Sequence, residues 1–297
     1  MHETGEAEPA LSWLVVAHES AHDLASLLPQ LRGELDGLTA RGLRCELIVA
    51  DNASRDGSAA LARRLAPSAA VLELPRNAGY GTALNRAAAA ARGGWLACSN
   101  ADLALAPGDL AALPEVLASL PREVGILGPA LRDGAGRWQP SAGSFPTLRR
   151  LLQRLPRAAA GRPYLSRAAH REGRVDWVTG ACLFVRADLF RRLGGFDEDF
   201  FLYYEDVDLA ARALALGWTT HYTPRVSAAH LRPHAGRPRE AHIEACVRQG
   251  RARWFHRHRP PAERRLLALL ARAEPLLRGR GARGHGEPGR ERGAGSA

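Results

Sequence analysis

Glu46-Leu47-Ile48-Val49, running into Asp51-Asn52-Ala53-Ser54-Arg55-Asp56-Gly57-Ser58, decides the reading of this chain. Four β-type apolar residues end in a polar turn whose Asp and Ser can cap a following helix. The same pattern recurs on both sides. Trp13-Leu14-Val15-Val16 leads to an amphipathic segment from about Asp23 to Leu38. Val71-Leu72-Glu73-Leu74 precedes Arg76-Asn77-Ala78-Gly79 and an Ala-rich helix ending near Arg92. Trp95-Leu96-Ala97-Cys98 ends in Ser99-Asn100-Ala101-Asp102, with a helix expected from about Pro107. Strand-helix alternation with short links predicts a parallel, doubly wound sheet. Ligands of such sheets bind beyond the carboxyl ends of the strands, where Asp51, Arg76 and Asp102 all fall.

The second half is less regular. Residues 147–174 are rich in Arg, Pro and Ala and read as a mobile excursion with at most one short helix. Order returns with Val175 to Val185, read as a strand pair or one bent strand, and with a β-like run from Arg225 to Ala229. Phe200-Phe201-Leu202-Tyr203-Tyr204 leads to Glu205-Asp206-Val207-Asp208 and a helix that Gly217 stops. Residues 260–279 set Leu266, Leu267, Leu269, Leu270, Leu276 and Leu277 among Arg264, Arg265, Arg272 and Arg278, a basic amphipathic helix that either lies in a membrane interface or packs on the folded unit ahead of a solvated tail. The Gly/Arg-rich remainder and residues 1–10 read as disordered tails. The folded unit is therefore expected over 11–259.

At 297 residues the chain can bury a large α/β core, and its 46% apolar content is ordinary. The net charge of +10 is not ordinary, and it is compatible with nucleic acid, an anionic membrane surface or phosphorylated substrates. The absence of lysine, beside heavy use of Ala, Gly and Pro, reflects codon composition and carries no functional message. Four scattered cysteines form no CxxC pair, which argues against a zinc site and for a reduced, cytoplasmic chain. The acidic first ten residues are no signal peptide, and no apolar run approaches the ~20 residues of a membrane span.

Three acidic positions stand at element boundaries instead of on solvated helix faces. Asp51 alone would be an ordinary turn aspartate. Asn100-Ala101-Asp102 places a carboxylate at a strand end, where it suits a divalent metal bridging diphosphate oxygens. Glu205-Asp206-Val207-Asp208 opens a helix, so its charges favour the helix dipole. Three acids directly after an aromatic run also suit acid-base catalysis. His230 follows the last β-like run.

In this order the segments resemble the family 2 inverting glycosyltransferases of GT-A fold, in particular the bacterial rhamnosyltransferase-like branch. The matching stretches are Val15 to Ser20, Val49 to Ser58, Arg76 to Gly81 with Asn85, Ser99 to Asp102, Asp176 to Cys182, Gly194 to Glu198, and Phe200 to Asp208 with His230. The resemblance covers roughly residues 11 to 255 and implies a GT-A, Rossmann-like doubly wound mixed sheet. It also implies that Ala17, Glu19, Asp51, Arg76, Asn77, Tyr80, Asn85, Asn100 and Ala101 bind a nucleotide diphosphate sugar, Asp51 through the pyrimidine N3–H. Asp102 and His230 would hold Mg²⁺ or Mn²⁺. Asp206 would be the general base, with Glu205 beside it. Trp177, Gly180 and Ala181 would line the site of a glycan or lipid-linked acceptor, met at the inner membrane face through peripheral docking.

Two positions depart from the family pattern. Ala17-His18-Glu19 stands where the first strand usually ends in Thr-Tyr-Asn or Thr-His-Asn, and Asn100 replaces the first acid of D-x-D. A sugar nucleotidyltransferase would carry a Gly-rich, basic phosphate loop where Ala17-His18-Glu19-Ser20 stands. A nucleic-acid-binding protein would explain the charge, but the sequence has no recognition helix or stacking motif to support it.

Overall fold

The computed structural model describes residues 10–154, 171–231 and 241–269. Its first half alternates as the sequence predicts: β1 (Leu11–Ala17), α1 (Ala21–Ala40), β2 (Cys45–Asp51), α2 (Ser58–Leu65), β3 (Ala70–Glu73), α3 (Tyr80–Ala90) and β4 (Trp95–Asn100). β1 lies between β2 and β4 and is parallel to both, and β3 extends the parallel sheet beyond β2. Successive side chains of a strand point to opposite faces, so a strand covered on both sides must be apolar throughout. Trp13 and Val15 accordingly join one core cluster with Leu24, Leu27, Leu28, Leu31, Leu35 and Leu38 of α1. Leu14 and Val16 join the other with Ala83, Leu84 and Ala87 of α3.

The second half contains β5 (Leu103–Ala104), α4 (Leu113–Ser119), β6 (Val124–Arg132), β7 (Trp138–Gln139), β8 (Ala142–Gly143) and α5 (Leu148–Arg154). These are followed by β9 (Gly173–Val175), β10 (Trp177–Val178), β11 (Cys182–Arg186), α6 (Ala187–Arg192), α7 (Glu205–Ala215), β12 (Thr219–His230) and α8 (Ala241–His258). The main sheet runs β3-β2-β1-β4-β11-β6-β12-β5, with β7 on β6 and β9 on β12, while β8 and β10 pair separately. β11 is antiparallel to both β4 and β6, so the sheet is mixed. Its insertion brings the start of β11 to the end of β4, where the Asn100 N–H donates to Ala181 O at 3.1 Å. β12 pairs with β5 so that His230 stands opposite Leu103, next to Asp102.

Some boundaries differ from expectation. No helix starts at Pro107, because the Glu34 carboxylate accepts the Gly108 and Leu110 N–H groups at 2.7 and 2.8 Å and holds a turn, and α4 begins at Leu113. Of the 147–174 excursion, α5 is described and residues 155–170 lie outside the described residues. Of the two tails, residues 1–9 and 270–297 do as well, including Leu270, Leu276 and Leu277. Packing does not stop at residue 259. A helical run over 261–269 follows, in which Leu267 joins the core cluster of Trp254 and Phe255. Glu263 accepts the Leu148 N–H at 3.0 Å and pairs with Arg259. Leu266 and Leu269 remain 42% and 59% exposed on that run.

Candidate functional site

A cleft of about 440 Å³ opens at the carboxyl ends of β1, β2 and β4, between His18, Asp23, Asn52, Tyr80, Asp102 and Phe201. Ala17 lies behind it and accepts the Asn52 N–H at 2.7 Å. The Asp51 side chain is 2% exposed. Its Oδ2 accepts the Ser54 N–H at 3.2 Å, while Oδ1 is buried without a hydrogen-bond partner among the described residues. Glu19 adopts a left-handed φ of 49° and is not among the residues that line the cleft. Its carboxylate accepts the Arg55 N–H at 2.9 Å and its own N–H donates to Ser54 Oγ at 3.0 Å. It therefore ties two strand-end loops together, which corrects the expectation that it lines the donor site.

Asn52 organises the opposite wall. Its Nδ2 donates to Asn77 Oδ1 at 2.9 Å and to Gly79 O at 3.3 Å, and its Oδ1 accepts the Ala78 N–H at 2.9 Å. Gly79, at φ +91°, lies against Phe201, whose carbonyl a Cβ at this position would meet at 2.4 Å. The Phe201 carbonyl in turn accepts the Tyr80 N–H at 3.0 Å, and the Phe201 ring is 43% exposed at the cleft mouth. Arg76 faces an adjoining cleft of about 710 Å³, shared with Arg86 and Glu198, which meets the first along Asn77 and Phe201. Asn85 does not line the cleft. The Phe196 N–H and O occupy its amide, each at 2.8 Å, so its work is to hold that turn.

At the end of β4, Asn100, Ala101 and Asp102 line the cleft, and His230, buried on β12, stands against them. His230 Nε2 lies 3.4 Å from Asp102 Oδ1 and 3.3 Å from Asn100 Nδ2. Burial pushes the Asp102 carboxyl up, but the hydrogen bond of His230, its charge when the ring is protonated, and the Asn100 amide outweigh it and hold the group below the usual carboxylate range. Among the described residues no group of three or more His, Cys, Asp or Glu side chains converges on one point. Gln139 stands behind His230, with Nε2 3.1 Å from the ring Nδ1.

The third side is the turn into α7. Tyr203 and Tyr204 are both left-handed, at φ 71° and 74°, a conformation that is costly for bulky side chains and that recurs at functional sites. Asp206 is half-buried. Its Oδ2 accepts the Gly180 N–H and its Oδ1 the Val207 N–H, each at 2.8 Å. Glu205 beside it is buried. Tyr80 donates its O–H to Gly180 O. Burial, and secondarily Cys98, Glu205, Cys182 and Asp206, push its phenol well above the usual value, so it stays a neutral donor. Trp177, expected to line the acceptor site, is fully buried and donates to Ser144 O at 3.1 Å. It packs within the core and offers no surface to an acceptor.

Sequence reasoning missed His18, Asn52, Gln139 and Phe201. Asn52 was within reach of it, since an amide directly after a strand-end Asp can cap the neighbouring loop. Gln139 gave no such signal.

The profile of Glycosyl transferase family 2 matches residues 12–191, and that of Glycosyl transferase family group 2 matches 161–256. The chain is 36% identical over 220 residues to the N-acetylglucosaminyl-diphospho-decaprenol L-rhamnosyltransferase of Mycobacterium tuberculosis, covering 67% of this chain and 71% of the relative. A shorter stretch of 63 residues, 21% of this chain and 24% of the relative, is 41% identical to Rhamnosyltransferase WbbL of Escherichia coli. Mannosyltransferase PcManGT from Pyrobaculum calidifontis, solved with GDP-Man and Mn2+, superposes with a TM-score of 0.56 at 19% identity, covering 94% of this chain and 77% of that one. Glucosyl-3-phosphoglycerate synthase from Mycobacterium tuberculosis, solved with Mn2+, UDP and phosphoglyceric acid, gives 0.56 at 19%, covering 85% and 80%. The fold is GT-A, and the chain belongs to glycosyl transferase family 2. It is a glycosyltransferase of the rhamnosyltransferase-like kind, which displaces the nucleotidyltransferase and nucleic-acid readings.

Replacing Asn52 with Ala removes three hydrogen bonds of the 77–79 loop, of which the one to Gly79 O is buried, a cost of about 1–3 kcal/mol. Denaturant unfolding should show that loss of stability, with faster hydrogen exchange at Ala78. Unchanged stability and exchange would show that the loop is held by other contacts.

Proposed function

We propose that this chain transfers L-rhamnose from a dTDP donor, with inversion, onto a hydroxyl of a polyprenyl-diphosphate-linked glycan in cell-envelope biosynthesis. Asp206 carries the chemistry: a carboxylate fixed by two backbone N–H groups, half-open, and joined through Gly180-Ala181 to the strand end at Asn100. The sugar and the acceptor rest on the 36% identity to the decaprenol-linked L-rhamnosyltransferase.

The orphaned Asp51 Oδ1 supports a base subsite, since the N3–H of thymine would satisfy it. Uracil carries the same N3–H, so this contact admits either nucleotide. Asp102 and His230 fit a divalent cation, Mg²⁺ or Mn²⁺: one carboxylate kept ionised and one imidazole, with substrate phosphates completing the shell. When bound, such a cation offsets the charge that grows on the departing diphosphate. Asp206 takes the proton of the acceptor hydroxyl as that oxygen bonds to the anomeric carbon. The carbon–oxygen bond to the diphosphate breaks on the opposite face, so the anomer inverts and no covalent enzyme intermediate forms. Holding donor and acceptor in line supplies much of the rate. Tyr80, Gly180 and Asn52 keep the walls in register.

Purified protein given dTDP-rhamnose and a polyprenyl-diphosphate N-acetylglucosamine acceptor should form product with Mg²⁺ or Mn²⁺ and stop in excess EDTA. Full turnover in EDTA would remove the cation role of Asp102 and His230. Asp206→Asn should retain dTDP binding but lose at least about 10²-fold in kcat, the worth of a positioned general base. A drop of less than about tenfold assigns the base elsewhere.

Peripheral docking on an anionic membrane is part of this proposal. No helix among the described residues is long and apolar enough to cross a membrane. The 261–269 run instead combines a docked Leu267 with exposed Leu266 and Leu269 beside Arg264 and Arg265. Apolar burial and basic charge add at such surfaces. Full-length protein should sediment with anionic liposomes at low salt, and a Leu266→Glu, Leu269→Glu variant should not. Equal sedimentation of both, or of neither, rejects docking through this run.

A further inference from the structure

His230 is held between two contradictory neighbours on one nitrogen and by a single amide on the other. Nε2 faces an obligate acceptor, Asp102 Oδ1, at 3.4 Å and a donor, Asn100 Nδ2, at 3.3 Å. The first calls for a proton on Nε2 and the second for a lone pair, so the cleft side of the ring accommodates either neutral tautomer. The choice therefore passes to Nδ1, whose buried neighbour is Gln139.

As the amide stands, Gln139 Nε2 lies 3.1 Å from Nδ1 and donates to it, which puts the ring proton on Nε2. In that tautomer Nε2 has no lone pair to give a ligand. Gln139 Oε1 meanwhile is buried with no hydrogen-bond partner among the described residues. The two ends of a side-chain amide have almost the same shape, so half a turn of the group exchanges oxygen and nitrogen without repacking. Oε1 would then accept Nδ1–H, and the Nε2 lone pair would face Asp102 and Asn100. As the amide stands its buried oxygen has no partner among the described residues, so hydrogen bonding on that side does not hold this orientation, and the ring proton decides it.

We propose that Gln139 is the positioning residue of His230, and that its amide turns over to accept Nδ1–H when Nε2 faces a divalent cation. The idea rests on the reading of Asp102 and His230 as the cation site. It concerns the groups behind the ring, in keeping with the rule that a metal-ligating imidazole is oriented by an acceptor on its other nitrogen. β7 is only Trp138–Gln139, and its pairing with β6 (Leu131 opposite Gln139) brings this side chain to β12.

The test uses the full chain with Mn²⁺ and either dTDP or UDP, free Mn²⁺ being read by electron paramagnetic resonance. Gln139→Met, which keeps length and loses the hydrogen bond, should weaken Mn²⁺ binding about 10–100-fold. Gln139→Glu, an obligate acceptor, should bind at least as tightly as wild type. With Mg²⁺ in place of Mn²⁺, the histidine ¹⁵N spectrum should show the His230 proton on Nδ1, its signals assigned by their loss in His230→Ala. Wild-type affinity in Gln139→Met, equal weakening in Met and Glu variants, or a proton that stays on Nε2 each overturns the role of Gln139. A wild-type chain that takes up no Mn²⁺, or a His230→Ala chain that takes it up equally, removes the cation site and this proposal with it.

Discussion

Gly180 joins the parts of the site through its own peptide groups. Its N–H holds Asp206, its carbonyl takes the Tyr80 hydroxyl, and the next carbonyl, Ala181, takes the N–H of Asn100. This is possible because β11 enters the sheet antiparallel between β4 and β6, so that its leading residues meet the outgoing end of β4. A parallel β11 would put those residues at the other edge. A side chain at 180 would lie 3.2 Å from the Tyr80 ring and 3.7 Å from Asp206 Cβ, which crowds the one place where three elements touch. The distance from the Asn100 strand end to Asp206 is thus set by backbone bonds, which move less than side chains do.

Asp206 itself follows strained chain. Two successive left-handed residues cost of order 1–3 kcal/mol each, and they persist only where the surroundings over-determine them. α8 supplies much of that constraint. A Cβ at Gly250 would meet Tyr203 O at 2.5 Å, so the helix lies directly on the turn. From the other end of α8, His258 reaches Asp208 at 2.7 Å, and Arg212 meets the same buried carboxylate at 2.6 Å. Arg257 pairs with Asp197 and Asp199 on the approach to the turn. Asp208, the third acid of the run, is therefore committed to packing, and only Asp206 among the three combines backbone support with partial exposure.

What the sequence made legible followed from local rules. The alternating strands and helices, the Leu stripe of α1, and the strand-end positions of Asp51 and Asp102 all depend on neighbours a few residues away. The parts that were misread depend on distant pairings. Glu19 looked like a cleft residue by position, but a left-handed backbone turns it toward Arg55. Trp177 and Asn85 sit in motifs beside the site yet spend their polar groups on Ser144 and Phe196. Gln139 belongs to a two-residue strand whose significance arises only when β6 and β12 pair, so no window of sequence around it could announce it. Pro107 resembled a helix start, and Glu34, some seventy residues earlier, overrides it.

The buried acceptors Asp51 Oδ1 and Gln139 Oε1 connect this architecture to function. Each lacks a partner among the described residues, and an unmet buried acceptor costs about 1–3 kcal/mol. Both lie just behind the cleft: Asp51 precedes its wall at Asn52, and Gln139 stands behind the ring that faces Asp102. A chain selected for stability alone would fill such positions with apolar or satisfied groups. Their retention is economical if a ligand recovers the cost, because the polar groups are then already desolvated and aimed when it arrives. Under the proposed function a pyrimidine N3–H would meet the Asp51 acceptor, and a ring Nδ1–H would meet Gln139 Oε1 once its amide has turned. On that reading one nucleotide diphosphate with its cation would draw on both in a single binding event.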